Sequence, residues 1–244
     1  MGMGELFHIV VSQPIYNALV FFYNVIPGSD FGLAVIATTI LLRTLFIPLY
    51  RKQLESQREM QILQPKIKEL QKQYKGDKAK LNEMQMKLYQ EHGVNPLGGC
   101  LPIIVQVIFL IAIYQVIIGI SNGGFLANGA DLYRFVSNPG EIAHHFFGIA
   151  DLAKPSYLFA ALAALAQFYQ VKMMLDAQKT DQPAKKVDDS TEPDFMAIMN
   201  KQMLFIGPGM TLFIGATFPA ALSLYWLVST VFTIVQQIFI FKKK

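Results

Sequence analysis

Residues 31–50 form an apolar run of 20 residues, broken only by threonines and by one charge, Arg43. A run of that length is what a helix needs to cross a bilayer. A guanidinium inside such a helix costs from a few to about 17 kcal/mol, depending on how it is solvated. A chain that keeps the charge must give it water, a partner or a function. At about 1.5 Å per residue, Arg43 lies about 12 Å from Arg51 at the charged end and about 18 Å from Phe31 at the other. Two readings are open: a snorkelling side chain, or a wet cavity that reaches down to Arg43. The depth favours the cavity.

The rest of the chain agrees with a membrane setting. Of 244 residues, 53% are hydrophobic and only 16% charged, less charge than a soluble globule of this size carries. Four further apolar stretches, 101–120, 157–175, 202–218 and 220–241, approach span length, which predicts five crossings. Lys and Arg then set the orientation. Eighteen of the 21 basic residues fall in segments 51–97 and 172–201 and in the tail after Phe241, which five crossings put on one side. Arg134 and Lys154 fall on the other side. The C-terminus is therefore expected inside and the N-terminus outside, and the net charge of +4 expresses this asymmetry without any nucleic-acid partner.

Residues 1–28 carry no Lys or Arg and so lack the basic start of a secretory signal. Ile15, Leu19, Phe22 and Ile26 recur at helical spacing, which suits a helix lying in the outer interface. A sixth span over 7–26 is the competing reading. It would break the charge parity or force a re-entrant path, and Pro14 would interrupt it.

Segment 51–97, which follows the first span at 29–50, reads as a cytoplasmic helical hairpin. Met60, Leu63, Ile67, Leu70 and Tyr74 keep a 3,4 spacing, Gly76-Asp77 makes a turn, and Leu81, Met84 and Leu88 resume the pattern. Pro65 is expected to break or kink the first arm, where the continuation of the first span ends. The mixed charges form a solvated face. They also make the hairpin attractive to anionic lipid and to polypeptide or ribosome surfaces.

The chain re-enters the apolar region, 98–241, through the turn-rich stretch 95–102. Cys100 is the only cysteine, which rules out an internal disulfide. The outer loop 121–155 contains His144 and His145. Glu141 and His144 resemble half of a metal motif, but a single copy is weak, so the histidines are read as surface residues and no metal is expected. The inner loop 176–201 has a charged, proline-containing centre, expected to be mobile, and the tail 242–244 is cytoplasmic.

The last span is amphipathic. Ser223, Trp226, Thr230, Thr233 and Gln237 fall within a sector of about 80°. Tyr225, Ser229 and Gln236 lie beside it, and Leu224, Val228, Val231, Val235 and Ile238 lie opposite. Lipid offers Thr and Gln no partner, so the polar stripe must face protein or water. Interhelical hydrogen bonding would account for the Ser and Thr residues, but not for Arg43. Thr39 precedes Arg43 by one turn on the same face. Gln106 and Gln115 lie in the second span, and Gln167 and Gln170 near the inner end of the third. Alanines 160, 161, 163, 164 and 166 thin the third helix, and Gly207-Pro208-Gly209 is expected to kink the fourth.

These residues predict a bundle with one cation and several uncharged polar groups around a shared cavity. The spans contain no carboxylate. A cation channel or proton relay would want one. An intramembrane serine protease needs a histidine in a span, and all four histidines lie outside. No repeat suggests a secondary transporter, and no phosphate-binding loop suggests nucleotide-driven transport. What remains is a cavity that accepts something weakly polar or acidic from inside and releases it into lipid.

Three motifs in order carry a resemblance: Met60-Gln61-Ile62-Leu63-Gln64-Pro65-Lys66-Ile67, then Asn95-Pro96-Leu97-Gly98-Gly99-Cys100-Leu101-Pro102, then Phe218-Pro219-Ala220-Ala221-Leu222-Ser223-Leu224-Tyr225-Trp226. Over residues 31–241 the chain resembles the YidC family of membrane protein insertases. The resemblance implies an all-α integral membrane protein with five transmembrane helices around a hydrophilic groove, open to cytoplasm and lipid and closed outside. It also implies a groove arginine at Arg43 and groove or client contacts at Thr39, Gln167 and Trp226, with Gln170 one turn from Gln167. Gln106 matches the polar residue of the second span. Ser223 and Thr230 join this set from the stripe.

The implied activity is insertion of client membrane proteins, in a bacterial plasma membrane, with no catalytic residue, cofactor or metal. Clients and lipid are the implied partners, and a ribosome and a Sec-type translocon are further candidates. Two features depart from the larger members: no large extracytoplasmic domain precedes the first conserved span, and the tail is only Lys242-Lys243-Lys244, too short for the ribosome-binding tail of some members. A lipid scramblase, a small-solute channel and a non-inserting assembly scaffold are the alternatives.

Overall fold

The computed structural model describes residues 2–94, 101–122, 127–180 and 195–241. Helices dominate, as expected: α1 (Met3–Phe7), α2 (Gln13–Val25), α3 (Phe31–Leu45), α4 (Ile47–Gln73), α5 (Lys78–Glu91), α6 (Leu101–Asn122), α7 (Tyr157–Thr180), α8 (Phe195–Thr217) and α9 (Ala220–Phe241). The chain divides into two compact units. One comprises residues 1–45, 108–174 and 190–244, and the other residues 46–107 and 175–189.

In the first unit, α1 and α2 are joined by a single π-helical turn, His8–Ser12. Pro14 therefore does not interrupt the helix as expected. It falls in the first turn of α2, where its missing N–H costs little, and the wider turn before it takes up the extra residue. By length and composition Gly4–Val25 could cross a membrane, as could Tyr157–Asp176 and Ala220–Phe239; Phe31–Leu45, Val107–Ile120 and Leu204–Thr217 are shorter apolar helices.

The polar side of α2 is tied to the loop between α6 and α7 along most of its length. The Asn17 amide donates to Asp131 O at 2.8 Å and accepts from the Tyr133 N–H at 2.7 Å. Tyr23 Oη accepts from the Ala143 N–H at 2.8 Å, and Asn24 donates to Ser137 O at 2.7 Å. Its apolar side, Ile15, Leu19 and Val20, enters a cluster with Phe31 and Val35 of α3, Ile113 and Ile117 of α6, and Leu222 and Tyr225 of α9.

The helix read from the sequence as the first span is shorter than expected. The helix begins with the Asp30 carboxylate accepting from the Leu33 N–H at 2.8 Å and ends at Leu45. Phe46 leaves helical geometry, and Pro48 starts α4 from its first turn. The break thus lies at Phe46 and not at Pro65, which sits inside a continuous α4. Pro208 likewise lies inside a continuous α8.

The loop before α7 contains two strands that alternation did not signal, because each has two residues. β1 (His145–Phe146) pairs antiparallel with β2 (Ala150–Asp151). The loop also starts the last helix: Lys154 O and Leu152 O accept from the Ala220 and Ala221 N–H groups at 2.9 and 3.1 Å, satisfying amides that a helix start leaves free.

The second unit contains the helical hairpin read from the sequence. Leu63, Ile67 and Val94 are buried, and Met60, Leu88 and Tyr89 pack against them. Asp77 caps α5 by accepting from the Lys80 N–H at 3.0 Å. Residues 95–100, 181–194 and 242–244, which carry the turn-rich re-entry, most of the inner loop and the tail, lie outside the described residues.

Candidate functional site

Arg43 occupies the last turn of α3, which packs along α9. It is only 7% exposed. Its Nε donates to Ser229 Oγ at 2.7 Å, and Nη2 donates to the same oxygen. Ser229 is fully buried. A hydroxyl supplies a dipole and not a counter-charge, and neither helix carries Asp or Glu.

Thr39, one turn earlier, is buried and donates to Val35 O of its own helix at 2.6 Å. Its neighbour Thr38 does the same to Ala34 O at 2.8 Å. These back-bonds satisfy the hydroxyls locally and keep that face of α3 polar.

The stripe on α9 points inward. Ser223, Thr230 and Gln237 are buried, while Val231, Val235 and Ile238 on the opposite side are exposed. Trp226 is half-buried. Ser223 faces α8, donating to Gly215 O at 3.3 Å. Farther along, the Gln236 amide nitrogen and oxygen and the Gln237 amide oxygen are buried without a hydrogen-bond partner among the described residues. Such groups are costly where only hydrocarbon surrounds them.

Gln167 of α7 accepts from the Thr211 hydroxyl of α8, so this predicted residue joins an α7–α8 pair. The side chain of Gln106 lies outside the described residues. The structure therefore joins Arg43 to α9, keeps Thr39 on the same face of α3, and buries Ser223 and Thr230 on the same helix as Ser229. Ser229 is the residue that sequence reasoning missed. It lay beside the stripe, and the need of Arg43 for an acceptor was the one signal that singled it out.

A pocket of about 150 Å³ lies elsewhere, lined by His8, Ser12, Tyr16, Gln115 and Asp131 among others. No cluster of three metal-ligating side chains occurs among the described residues. His144 stands 3.7 Å from Asp151.

Among the described residues three helices are long and apolar enough to cross a membrane, which marks the fold as that of a polytopic helical membrane protein. Residues 21–244 match the family described as 60Kd inner membrane protein, and the chain belongs to that family. It is similar to Membrane protein insertase YidC 2 of Bacillus anthracis, 36% identical over 230 residues, covering 92% of this chain and 76% of the relative. Membrane protein insertase MisCA of Bacillus subtilis is 34% identical over 232 residues, covering 92% and 75%. Membrane protein insertase YidC of Streptomyces avermitilis is 30% identical over 255 residues, covering 95% of this chain but 58% of the relative. A solved structure described as an active YidC insertase with its first transmembrane domain resolved shares the fold, with a TM-score of 0.58 and 24% identity. That match covers 93% of this chain and 46% of the other. The family is named for an inner membrane protein, and these relatives are bacterial.

Proposed function

We propose that the chain is a membrane protein insertase and chaperone whose client site lies between α3 and α9. The observation that carries this reading is a buried arginine with a hydroxyl partner between helices that lack carboxylates. In this reading α3, α6, α7, α8 and α9 are the five crossings, with the N-terminus outside and the C-terminus cytoplasmic. The α1–α2 helix lies in the outer interface, because its bonds to residues 131–143 run along its length instead of clustering at one end.

A groove bordered by Thr39, Arg43, Ser223, Trp226 and Thr230, with Gln167 on a neighbouring helix, opens to cytoplasm and lipid. It gives the short polar flank of a client water and hydrogen bonds part-way through the bilayer. Arg43 attracts acidic groups on that flank. The client's hydrophobic segment then slides past α3 and α9 into lipid, driven by about 0.8 kcal/mol for each CH₂ buried. Nothing covalent forms or breaks, and no cofactor takes part. Nascent membrane proteins and the bilayer are the partners. The cationic hairpin offers a surface for a ribosome or a translocon.

Vesicles reconstituted with the purified protein test this directly. Insertion of a short client with an acidic flank should fall with Arg43→Ala, and fall less with Arg43→Lys or with a neutral flank. Equal insertion of every client by all three proteins would remove the charge from the mechanism. Flipping of labelled lipid, or ion flux, without insertion would favour a scramblase or channel, and client contacts without insertion a scaffold.

A further inference from the structure

β1 and β2 are joined by Phe147, Gly148 and Ile149; the first two have φ values of 50° and 69°, and the Ile149 N–H donates to Phe146 O at 3.1 Å. Positive φ at both central residues of the Phe146–Ile149 turn is the conformation that Gly, Asn and Asp favour. A bulky aromatic at its first position is strained. The strain is held in place: the Phe147 N–H donates to the Asp30 carboxylate at 2.5 Å.

Contacts fix the level of this turn. Asp30 immediately precedes α3. The Phe146 ring covers Gly32 so closely that a Cβ there would meet Phe146 Cδ2 at 2.1 Å. The same ring lies 6.1 Å from that of Phe159, in the first turn of α7. The turn therefore stands level with the first turns of two membrane helices, where hydrocarbon gives way to headgroups. Phe146 faces inward, and its neighbours face out. Phe147 is 64% exposed and Ile149 89% exposed, and in the first turn of α7 Tyr157 is 77% and Leu158 65% exposed. Aromatic and apolar side chains at that level meet lipid and not bulk water.

We propose that the Phe147-Gly148-Ile149 tip is a wedge inserted into the phospholipid surface of the leaflet at the N-terminal end of α3. The strained residue keeps an apolar side chain where an asparagine would relieve the backbone, because the side chain is the anchor. Asp30 and Gly32 couple the wedge to α3, so it sets the depth of that helix and of Arg43, about 18 Å along it from Phe31. The inference concerns the seating of the bundle and stands apart from the insertion reading.

Cys100→Ser removes the only cysteine, and nitroxide labels can then be placed through Ile149→Cys, Phe147→Cys and, as an aqueous control on the helical hairpin, Lys78→Cys. In phosphatidylethanolamine–phosphatidylglycerol vesicles, the labels at 147 and 149 should relax readily with oxygen, and their accessibility to a water-soluble nickel chelate should be several-fold below that at 78. Chelate accessibility equal to that at 78 would put the tip in water and overturn the proposal. Low accessibility to both reagents would mean a protein covers it, and would overturn it equally. Phe147→Cys alters the strained turn residue, whereas Ile149→Cys leaves both turn residues intact and decides the question alone if the other variant misfolds.

Discussion

Ser229 accepts hydrogen bonds from two nitrogens of Arg43, Nε at 2.7 Å and Nη2, across 186 positions of chain. The pair pins the last turn of α3 to the middle of α9. A group that would be expensive in hydrocarbon thereby becomes a tie between α3 and α9. The guanidinium is thus bonded although neither helix carries a carboxylate.

Ser229→Ala should therefore destabilise the bundle by about 1.5–3 kcal/mol, the usual loss when a buried charged donor loses its acceptor. Ser229→Thr, which keeps the hydroxyl, should cost less. Thermal unfolding in detergent is the measurement, with an Arg43→Met, Ser229→Ala double-mutant cycle to isolate the pair. A coupling energy near zero would mean that the contact contributes nothing.

Gly215→Ala should cost about 1–3 kcal/mol by overpacking. A Cβ at 215 would lie 2.7 Å from Ser223 Oγ and 3.1 Å from the Ala160 Cα, and backbone cannot step aside. Gly119→Ala, in α6 with nothing within 4 Å, should be neutral or slightly stabilising because alanine is the better helix former. Unfolding of both variants under one set of conditions checks the contrast.

The Asp151 carboxyl should make the α6–α7 loop sensitive to acid. Its partial burial would raise the pKa, but the Lys154 ammonium at 2.9 Å, the Ala153 N–H and the nearby His144 outweigh this and hold it below the ordinary value. A lowered folded-state pKa contributes stability above the unfolded value of about 3.9, lost as pH falls through the folded one. Asp151→Asn should flatten the melting temperature against pH in that window and lower it above the window, where the ionised carboxylate otherwise contributes. An identical acid response in both proteins would show that the group does not matter.

Pro65 lies inside α4, where its ring removes one hydrogen bond and crowds the preceding turn. Pro65→Ala should stabilise the hairpin, by up to about 3 kcal/mol if no compensating kink is lost. Slower limited proteolysis between residues 51 and 94 is the expected result, and faster cleavage would count against it.

Much of this was legible because the signals are local. The 3,4 spacing of Met60, Leu63 and Ile67 marked the hairpin seam, and that seam is buried. The polar stripe on the last helix marked its inward face, with Ser223, Thr230 and Gln237 buried. Thr39 and Arg43, four residues apart, had to share a face. The break at Phe46 was hidden because apolar residues continue on both sides of it. Pro14 misled because a π turn can absorb a proline that an ideal α-helix would not. The two-residue strands beside Phe147 were too short to show alternation.

By itself, then, the sequence determined that the chain is a set of apolar helices with a polar face, a cationic hairpin and one charge out of place, because helical periodicity and hydropathy depend on residues a few positions apart. Only the tertiary structure decided that Ser229 answers Arg43, that Phe146 seats on Gly32 and that Gln167 pairs with Thr211. Each of these needs two distant segments brought within a few ångströms, and no local preference encodes which of several hydroxyls or glycines the packing will choose.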